Sequence, residues 1–141
     1  MLVRELLLPV FVQVGLTFAL LFMMGRARVG AIRRGKVRIG DIALGQPAWP
    51  EPVTKIGNAF ANQFQLPLLF YVLAGLAIVT RQADLVITVL AWLFVATRLV
   101  HSVVHVTSNH VPTRFNAYVA GFVILLAMWV YFAVRIMLGE G

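Results

Sequence analysis

The chain has 141 residues, of which 61% are hydrophobic and 12% are charged, and its mean hydropathy is +0.91. This composition excludes an ordinary water-soluble domain, in which about 25% of the residues are charged. The chain contains no cysteine, which excludes disulfide bonds, thiolate metal sites and a cysteine nucleophile. The composition therefore predicts a membrane protein.

Uncharged segments of the length needed to cross a bilayer as a helix, about 20 residues, occur three times. They are Leu6–Met24, Ile56–Val79 and Phe115–Val134. A fourth segment, from Leu85 to about Thr107, contains Arg98 and two histidines but is still too apolar for a loop. We predict one domain over residues 1–141, an all-α, left-handed bundle of four transmembrane helices at about 5–25, 53–80, 84–108 and 113–137.

The connections between these spans differ greatly in length. The first, about Arg26 to Glu51, is the only sizeable loop and is rich in glycine and proline, whereas the second, "TRQAD", predicts a helical hairpin. Pro9 and Pro67 lie within the first and second spans, where each is predicted to kink its helix. The first span is retained, because "GRARVG" follows it where a signal peptide would have a cleavage site.

Basic residues are concentrated on one side of the predicted spans. The opposite side carries Arg4, Arg81 and Arg135, whereas the first connection contains Arg26, Arg28, Arg33, Arg34, Lys36, Arg38 and Lys55. The positive-inside rule places that connection in the cytoplasm and both termini outside it. The rule also accounts for the net charge of +7, so no nucleic-acid partner is predicted.

Polar residues recur inside three of the spans at helical spacing. Residues three or four positions apart lie on one face of a helix. The three faces carry Asn58, Asn62 and Gln65; Arg98, His101 and His105, with Ser102 beside them; and Arg114 and Tyr118. All three faces lie in the predicted cytoplasmic portions of their helices, so we expect these groups to meet at one depth of the membrane.

Hydrogen bonds between helices would explain Asn58 and Ser102, but they explain the arginines poorly. An arginine within a span costs about 2.5 to 3.5 kcal/mol on insertion scales and needs an anion or a water-filled cavity. No acidic residue lies between Glu51 and Asp84 or between Asp84 and Glu140. Snorkelling would relieve Arg114 and partly Arg98, and an anionic ligand would relieve both.

A metal site is the main rival interpretation of the two histidines. His101 and His105 are four residues apart, as zinc ligands on a helix often are, but the intervening "SVV" lacks the glutamate of a zincin motif. No cysteine or nearby carboxylate completes a coordination shell. No metal site is predicted.

Three motifs carry a resemblance to a known family. The segments "NQFQLPLLFY" in the second span, "RxxHxxxH" in the third and "RFNAY" at the start of the fourth resemble the MAPEG family, the membrane-associated proteins of eicosanoid and glutathione metabolism, and especially its bacterial branch. The resemblance covers nearly the whole chain. It implies a homotrimer in a bacterial inner membrane, with glutathione bound between neighbouring protomers on the cytoplasmic side.

The family's ligand contacts can be carried over to this sequence residue by residue. They fall on Arg26, Asn62, Gln65, Arg98, His101, His105, Arg114 and Tyr118. The resemblance implies that Arg114 stabilises the glutathione thiolate and that Tyr118 helps to orient the peptide. Arginines would bind the two carboxylates of glutathione, and glutathione would supply a thiol to a protein without cysteine.

This chain departs from the family pattern at four positions. Asn58 stands where the family usually has arginine, Gln65 where it has glutamate, Phe115 where some members have serine, and His105 where tyrosine is common. The resemblance implies a glutathione-dependent transferase or peroxidase for detoxification of lipophilic electrophiles drawn from the membrane lipids. Asn58 and Gln65 favour the alternative, a non-catalytic scaffold of the same fold that binds lipids or fatty acids.

Overall fold

The computed structural model describes residues 3–139, which form five α-helices and one short 3-10 turn. The helices are α1 (Val3–Arg33), α2 (Glu51–Asn62), α3 (Leu66–Val79), α4 (Leu85–Val106) and α5 (Val111–Met137), and the turn is Ile39–Asp41. Four stretches are long and apolar enough to cross a membrane: α1, α2 with α3, α4, and α5. The predicted all-α fold with four transmembrane segments is confirmed.

The second span consists of two helices instead of one kinked helix. Gln65, with φ −97° and ψ −104°, lies in the break between α2 and α3. Pro67 occupies the first turn of α3, where its missing N–H removes no helical hydrogen bond. The predicted kink at Pro67 is therefore wrong in form, because the proline starts a new helix. Pro9 lies within α1, which runs without a break from Val3 to Arg33.

The first helix extends beyond the predicted span, so the long connection starts later than expected. It ends where Gly35 adopts a positive φ of 69°, and Lys36 donates its N–H to the Ala31 carbonyl over 3.0 Å. The connection then packs back on α1 and α2. Val37 and Val53 form a small core with Ala31, and the Trp49 ring lies 5.0 Å from the Arg28 guanidinium.

The main core surrounds α4, which packs against α1, α2 and α5. Its buried residues repeat every three or four positions and include Ile87, Ala91, Phe94 and Val95. The ring of Phe94 stacks on that of Phe70 from α3 at a centroid distance of 4.9 Å. The same buried face continues into Arg98, His101 and His105. The apolar core thus leads directly to the polar groups.

A buried chain of hydrogen bonds links three segments of the bundle. Gln13 in α1 donates to Gln63 Oε1 over 2.8 Å, and Gln63 donates to Ser102 Oγ in α4 over 3.1 Å and to the Ala59 carbonyl over 2.8 Å. The predicted interhelical role of Ser102 is confirmed. Gln13 and Gln63 were not anticipated, although amides in apolar spans are a recognisable signal.

The opposite end of α4 is tied to the end of α5. Asp84 accepts a hydrogen bond from the Ile87 N–H over 3.0 Å, which caps α4. The same carboxylate accepts hydrogen bonds from Tyr131 and from Arg135, the latter over 2.5 Å. This cluster lies at the start of α4 and the end of α5. It is therefore away from the polar groups of Arg98, His101 and His105 at the other end of the bundle.

We expect Gly121→Ala to lower the stability of the bundle by about 1–3 kcal/mol, as overpacking does. A Cβ at Gly121 would lie 2.8 Å from Thr97 Oγ1, which is held by its hydrogen bond to the Phe94 carbonyl. Gly75→Ala is the control, since its Cβ would meet no atom within 4 Å. Thermal unfolding in detergent, followed by circular dichroism, measures both. Equal midpoints for the two variants would contradict this close approach of α4 and α5.

Candidate functional site

A cavity of about 400 Å³ lies between α2, α4 and α5 at the polar end of the bundle. Its volume falls within the roughly 300–1,000 Å³ that is usual for small-molecule sites. The lining residues are Asn58, Ala61, Asn62, Gln65, His101, His105, Val111, Arg114, Phe115 and Tyr118. Each helix contributes residues about one turn apart, so the cavity is assembled from the three polar faces that the sequence predicts.

Arg98 lies behind the cavity wall and is only 1% exposed. Its Nη2 donates to the side-chain oxygen of Asn62 and, over 3.4 Å, to the Asn62 carbonyl. The guanidinium also lies 5.9 Å from the centre of the Tyr118 ring. Its Nε and Nη1 have no hydrogen-bond partner among residues 3–139. An amide of α2 thus supplies part of the stabilisation of Arg98 that the sequence analysis assigned to snorkelling and to an anionic ligand.

The side chain of Asn62 also bonds to that of Gln65. Its Nδ2 donates to Gln65 Oε1 over 3.1 Å, and Gln65 lies in the break between α2 and α3. Gln65 therefore both accepts a hydrogen bond from the last turn of α2 and lines the cavity.

The two histidines form the inner wall of the cavity. His101 and His105 are buried, with ring centroids 5.5 Å apart, and the His101 ring lies 5.7 Å from that of Tyr118. The Nδ1 atoms of both histidines lack a hydrogen-bond partner in the described part of the chain. Between residues 3 and 139 there is no group of three His, Cys, Asp or Glu side chains that could hold a metal ion.

Arg114 is half-buried on the cavity wall and is held by the connection between α4 and α5. Its Nη1 donates to Asn109 Oδ1 over 2.8 Å. Asn109 has a φ of 52°, in the left-handed region that asparagine tolerates better than most residues, and its N–H donates to the Val104 carbonyl over 2.7 Å. Asn109 therefore both makes the turn and positions Arg114. This role was not predicted, although "SNH" before a proline is a turn signal.

A model described as the MAPEG family matches residues 6–134 of this chain. The chain belongs to the MAPEG family. It is thus a membrane protein of the family of eicosanoid and glutathione metabolism, and its four-helix membrane fold is the family's fold. No curated protein and no solved structure matches the chain.

In this MAPEG protein, the predicted ligand contacts are distributed over three locations. Six of them line the cavity: Asn62, Gln65, His101, His105, Arg114 and Tyr118. Arg98 touches two of these from behind the wall. Arg26 lies elsewhere, in an open groove along α1 with Phe22, whose ring is 5.8 Å from its guanidinium. A single protomer therefore brings seven of the eight together and leaves Arg26 apart.

Residues that the carried-over contacts did not include also line the MAPEG cavity. Asn58, for which an interhelical hydrogen bond was the favoured interpretation, lines the cavity one turn from Asn62. Val111 and Phe115 add apolar surface at the start of α5, and both are more than half exposed. This role becomes visible only in the folded chain, because apolar residues occur throughout a span and do not by themselves indicate a binding site.

The charge of the cavity has one sign. Arg114 lines it and Arg98 lies behind it, while no aspartate or glutamate is found among its lining residues in the described chain. Arginines bind carboxylates through paired N–H donors. The arrangement of polar groups in this MAPEG protein thus suits an anionic ligand at the edge of an apolar surface.

Proposed function

We propose that this MAPEG protein is a membrane-embedded transferase or peroxidase that uses glutathione as its thiol co-substrate and acts on lipophilic electrophiles. The observation that carries the proposal is the position of Arg114, which is held by Asn109 and is half-buried on a cavity wall with no carboxylate from residues 3–139. A cation in this position favours a thiolate over a thiol. Thiolate is the reactive form of the co-substrate.

The reaction requires little from the protein beyond stabilisation of the thiolate. A cysteine thiol has a reference pKa of about 8.5 and is mostly protonated at neutral pH. Arg114 stabilises the thiolate after the thiol proton passes to water, and the sulfur then bonds to the electrophilic carbon as the leaving group departs with the electron pair of its own bond. With a hydroperoxide, the sulfur instead bonds to the terminal oxygen as the O–O bond breaks, and the alkoxide that leaves takes a proton from water. Tyr118, one turn along α5, orients the peptide of the co-substrate.

The lipophilic substrate would reach the thiolate from the lipid. Val111 and Phe115 are exposed apolar residues that also line the cavity next to Arg114. An electrophile dissolved in the bilayer would pack on these side chains with its reactive carbon towards the cavity. This arrangement brings a water-soluble thiol and a lipid-soluble substrate to the same boundary.

Isothermal titration of glutathione into the purified protein tests the proposal. We expect saturable binding together with the ultraviolet absorbance of a thiolate at neutral pH. The alternative is a non-catalytic scaffold that binds a fatty acid through Arg114, and the neutral amides Asn58 and Gln65 on the cavity wall favour it. Oleate is titrated in parallel. Binding of oleate without any glutathione-dependent thiolate signal would replace the enzyme with the scaffold.

We expect a homotrimer, because Arg26 lies outside the cavity of its own protomer and would reach a ligand only from a neighbour. Native mass spectrometry in mild detergent should show three chains. Arg26→Ala should weaken glutathione binding without altering the mass of the assembly, and Arg4→Ala, at the other end of α1, is the control. A strictly monomeric protein that still binds glutathione would contradict a shared site.

We expect the polar end of the bundle to face the cytoplasm of a bacterial inner membrane, with both termini on the other side. A reporter that is active only in the cytoplasm should give no signal when fused to Gly141, which lies outside the described residues. The same reporter inserted at Gly45, in the basic connection, should be active. The reverse pattern would place the cavity away from cytosolic glutathione.

A further inference from the structure

The amides that line the cavity have a defined direction of hydrogen bonding. Arg98 can only donate, because a guanidinium carries five N–H donors and no acceptor. Its contact with the Asn62 side chain must therefore involve the amide oxygen. This assignment leaves the Asn62 Nδ2 group to donate, and its neighbour within reach is Gln65 at 3.1 Å.

The hydrogen-bond direction that Arg98 imposes on Asn62 also determines the hydrogen-bond direction at Gln65. Because Asn62 donates, Gln65 must accept through Oε1, and its Nε2 group with two N–H donors is left for the cavity that Gln65 lines. The buried guanidinium at one end of this chain of hydrogen bonds fixes both amides, since turning either amide over would point N–H groups at N–H groups.

The cavity wall offers a cation no counter-charge among the described residues. The side-chain oxygens of Asn62 and Gln65 each accept one hydrogen bond already, and the remaining acceptors, which include the Asn58 amide oxygen and the Nδ1 atoms of His101 and His105, carry no negative charge. No aspartate or glutamate of the described chain lines the cavity; Glu51 lies 3.8 Å from Lys55, and Asp84 is at the other end of the bundle, bonded to Arg135. A buried charge without a counter-charge is costly.

We propose that the Gln65 subsite takes a hydrogen-bond acceptor, and that the cavity therefore selects anionic thiols without an ammonium group, such as thiol peptides whose α-amino group is absent or acylated. The inference rests on the proposed function, because it assumes a thiol ligand in this cavity. It goes further in specifying the class of thiol. Glutathione itself also binds, but more weakly, because no described residue of this wall offers its ammonium group a counter-charge.

The experiment compares glutathione with an analogue in which hydrogen replaces the α-amino group, glutaryl-cysteinyl-glycine. Both are titrated calorimetrically into the wild-type protein in detergent. We expect the analogue to bind about tenfold more tightly, the equivalent of about 1.4 kcal/mol. The two ligands share both carboxylates and the thiol, so the ratio of their dissociation constants reports the amine alone.

Two variants test the chain of hydrogen bonds from Arg98 through Asn62 to Gln65. Gln65→Glu supplies a carboxylate that still accepts from Asn62 and can pair with an ammonium, so the preference should reverse to favour glutathione. Asn62→Asp cannot donate to Gln65, so Gln65 can turn its oxygen to the cavity, and the preference should again reverse. Gln46→Glu adds the same charge at an exposed position of the long connection and should keep the wild-type ratio.

Each outcome has a distinct meaning. If the wild-type protein binds glutathione more tightly than the analogue, the acceptor subsite is overturned, while the thiol-dependent function stands. If neither thiol binds but oleate does, the proposed function fails and this inference fails with it. If a variant does not fold, the wild-type ratio still decides, since it requires no substitution.

Discussion

Arg114→Ala should raise the pKa of the thiol bound in the cavity by about one unit, or about 1.4 kcal/mol of lost thiolate stabilisation. The half-buried Arg114 guanidinium is the cation that lines the cavity, and its removal disfavours the charged form of a thiol bound there. At a pH below the thiol pKa, the thiolate fraction and the rate should both fall about tenfold. The pH profile of activity should move to higher pH.

Thiolate absorbance of the complex, followed against pH, measures this shift directly. Arg114→Lys keeps the charge but loses the fork of N–H donors and should recover part of the rate. Asn109→Gly keeps the left-handed turn but removes the oxygen that holds Arg114, so it should produce a smaller shift in the same direction. Arg38→Ala, at an exposed loop arginine, is the control. An unchanged pH profile in Arg114→Ala would remove this residue from the chemistry.

Asn62→Leu should destabilise the protein by about 1.5–3 kcal/mol, the range for losing a hydrogen bond to a charged group. Arg98 is almost fully buried, and two of its nitrogen atoms already lack partners among the described residues. Of its two contacts with Asn62, the variant removes the one to the side-chain oxygen and keeps the 3.4 Å contact with the backbone carbonyl. Asn58→Leu makes the same change one turn earlier on the cavity wall and should be nearly neutral. Thermal and denaturant unfolding in detergent measure both variants.

A double-mutant cycle separates the loss of the Arg98–Asn62 interaction from other effects of removing the Asn62 amide. Replacing both partners, with Asn62→Leu and Arg98→Met, removes the buried charge together with its acceptor and should restore most of the stability. The coupling free energy then measures the Arg98–Asn62 interaction. If the double variant is as unstable as the sum of the single variants, Asn62 stabilises the bundle in some other way than by holding Arg98.

Hydropathy and helical spacing were sufficient to predict the membrane spans and the three polar faces. Each depends on local physics: a span must be apolar over its whole length, and residues three or four positions apart share a face whatever surrounds the helix. For the same reason, the lining of the cavity by His101, His105 and Arg114 follows from the predicted faces and depths. The MAPEG motifs lie on these faces.

Local signals failed where a residue's role depends on a neighbour distant in sequence. Pro67 was expected to kink a helix, yet it starts one after a break at which Gln63 bonds to Gln13 of α1. The long connection was expected to begin near Arg26, yet α1 continues to Arg33, because its last turns pack on Val37 and Val53. In both cases tertiary contacts outweigh a weak local preference.

By itself, the sequence determined that this is a four-span membrane protein with arginines and histidines at one end of its spans, because apolar length, helical period and charge within a span are properties of single segments. Only the tertiary structure decided that Asn62 holds Arg98, that Asn109 holds Arg114, and that Gln65 turns its N–H donors to the cavity. Hydrogen-bond direction is set by which donor meets which acceptor in space. That pairing exists only once the helices are packed.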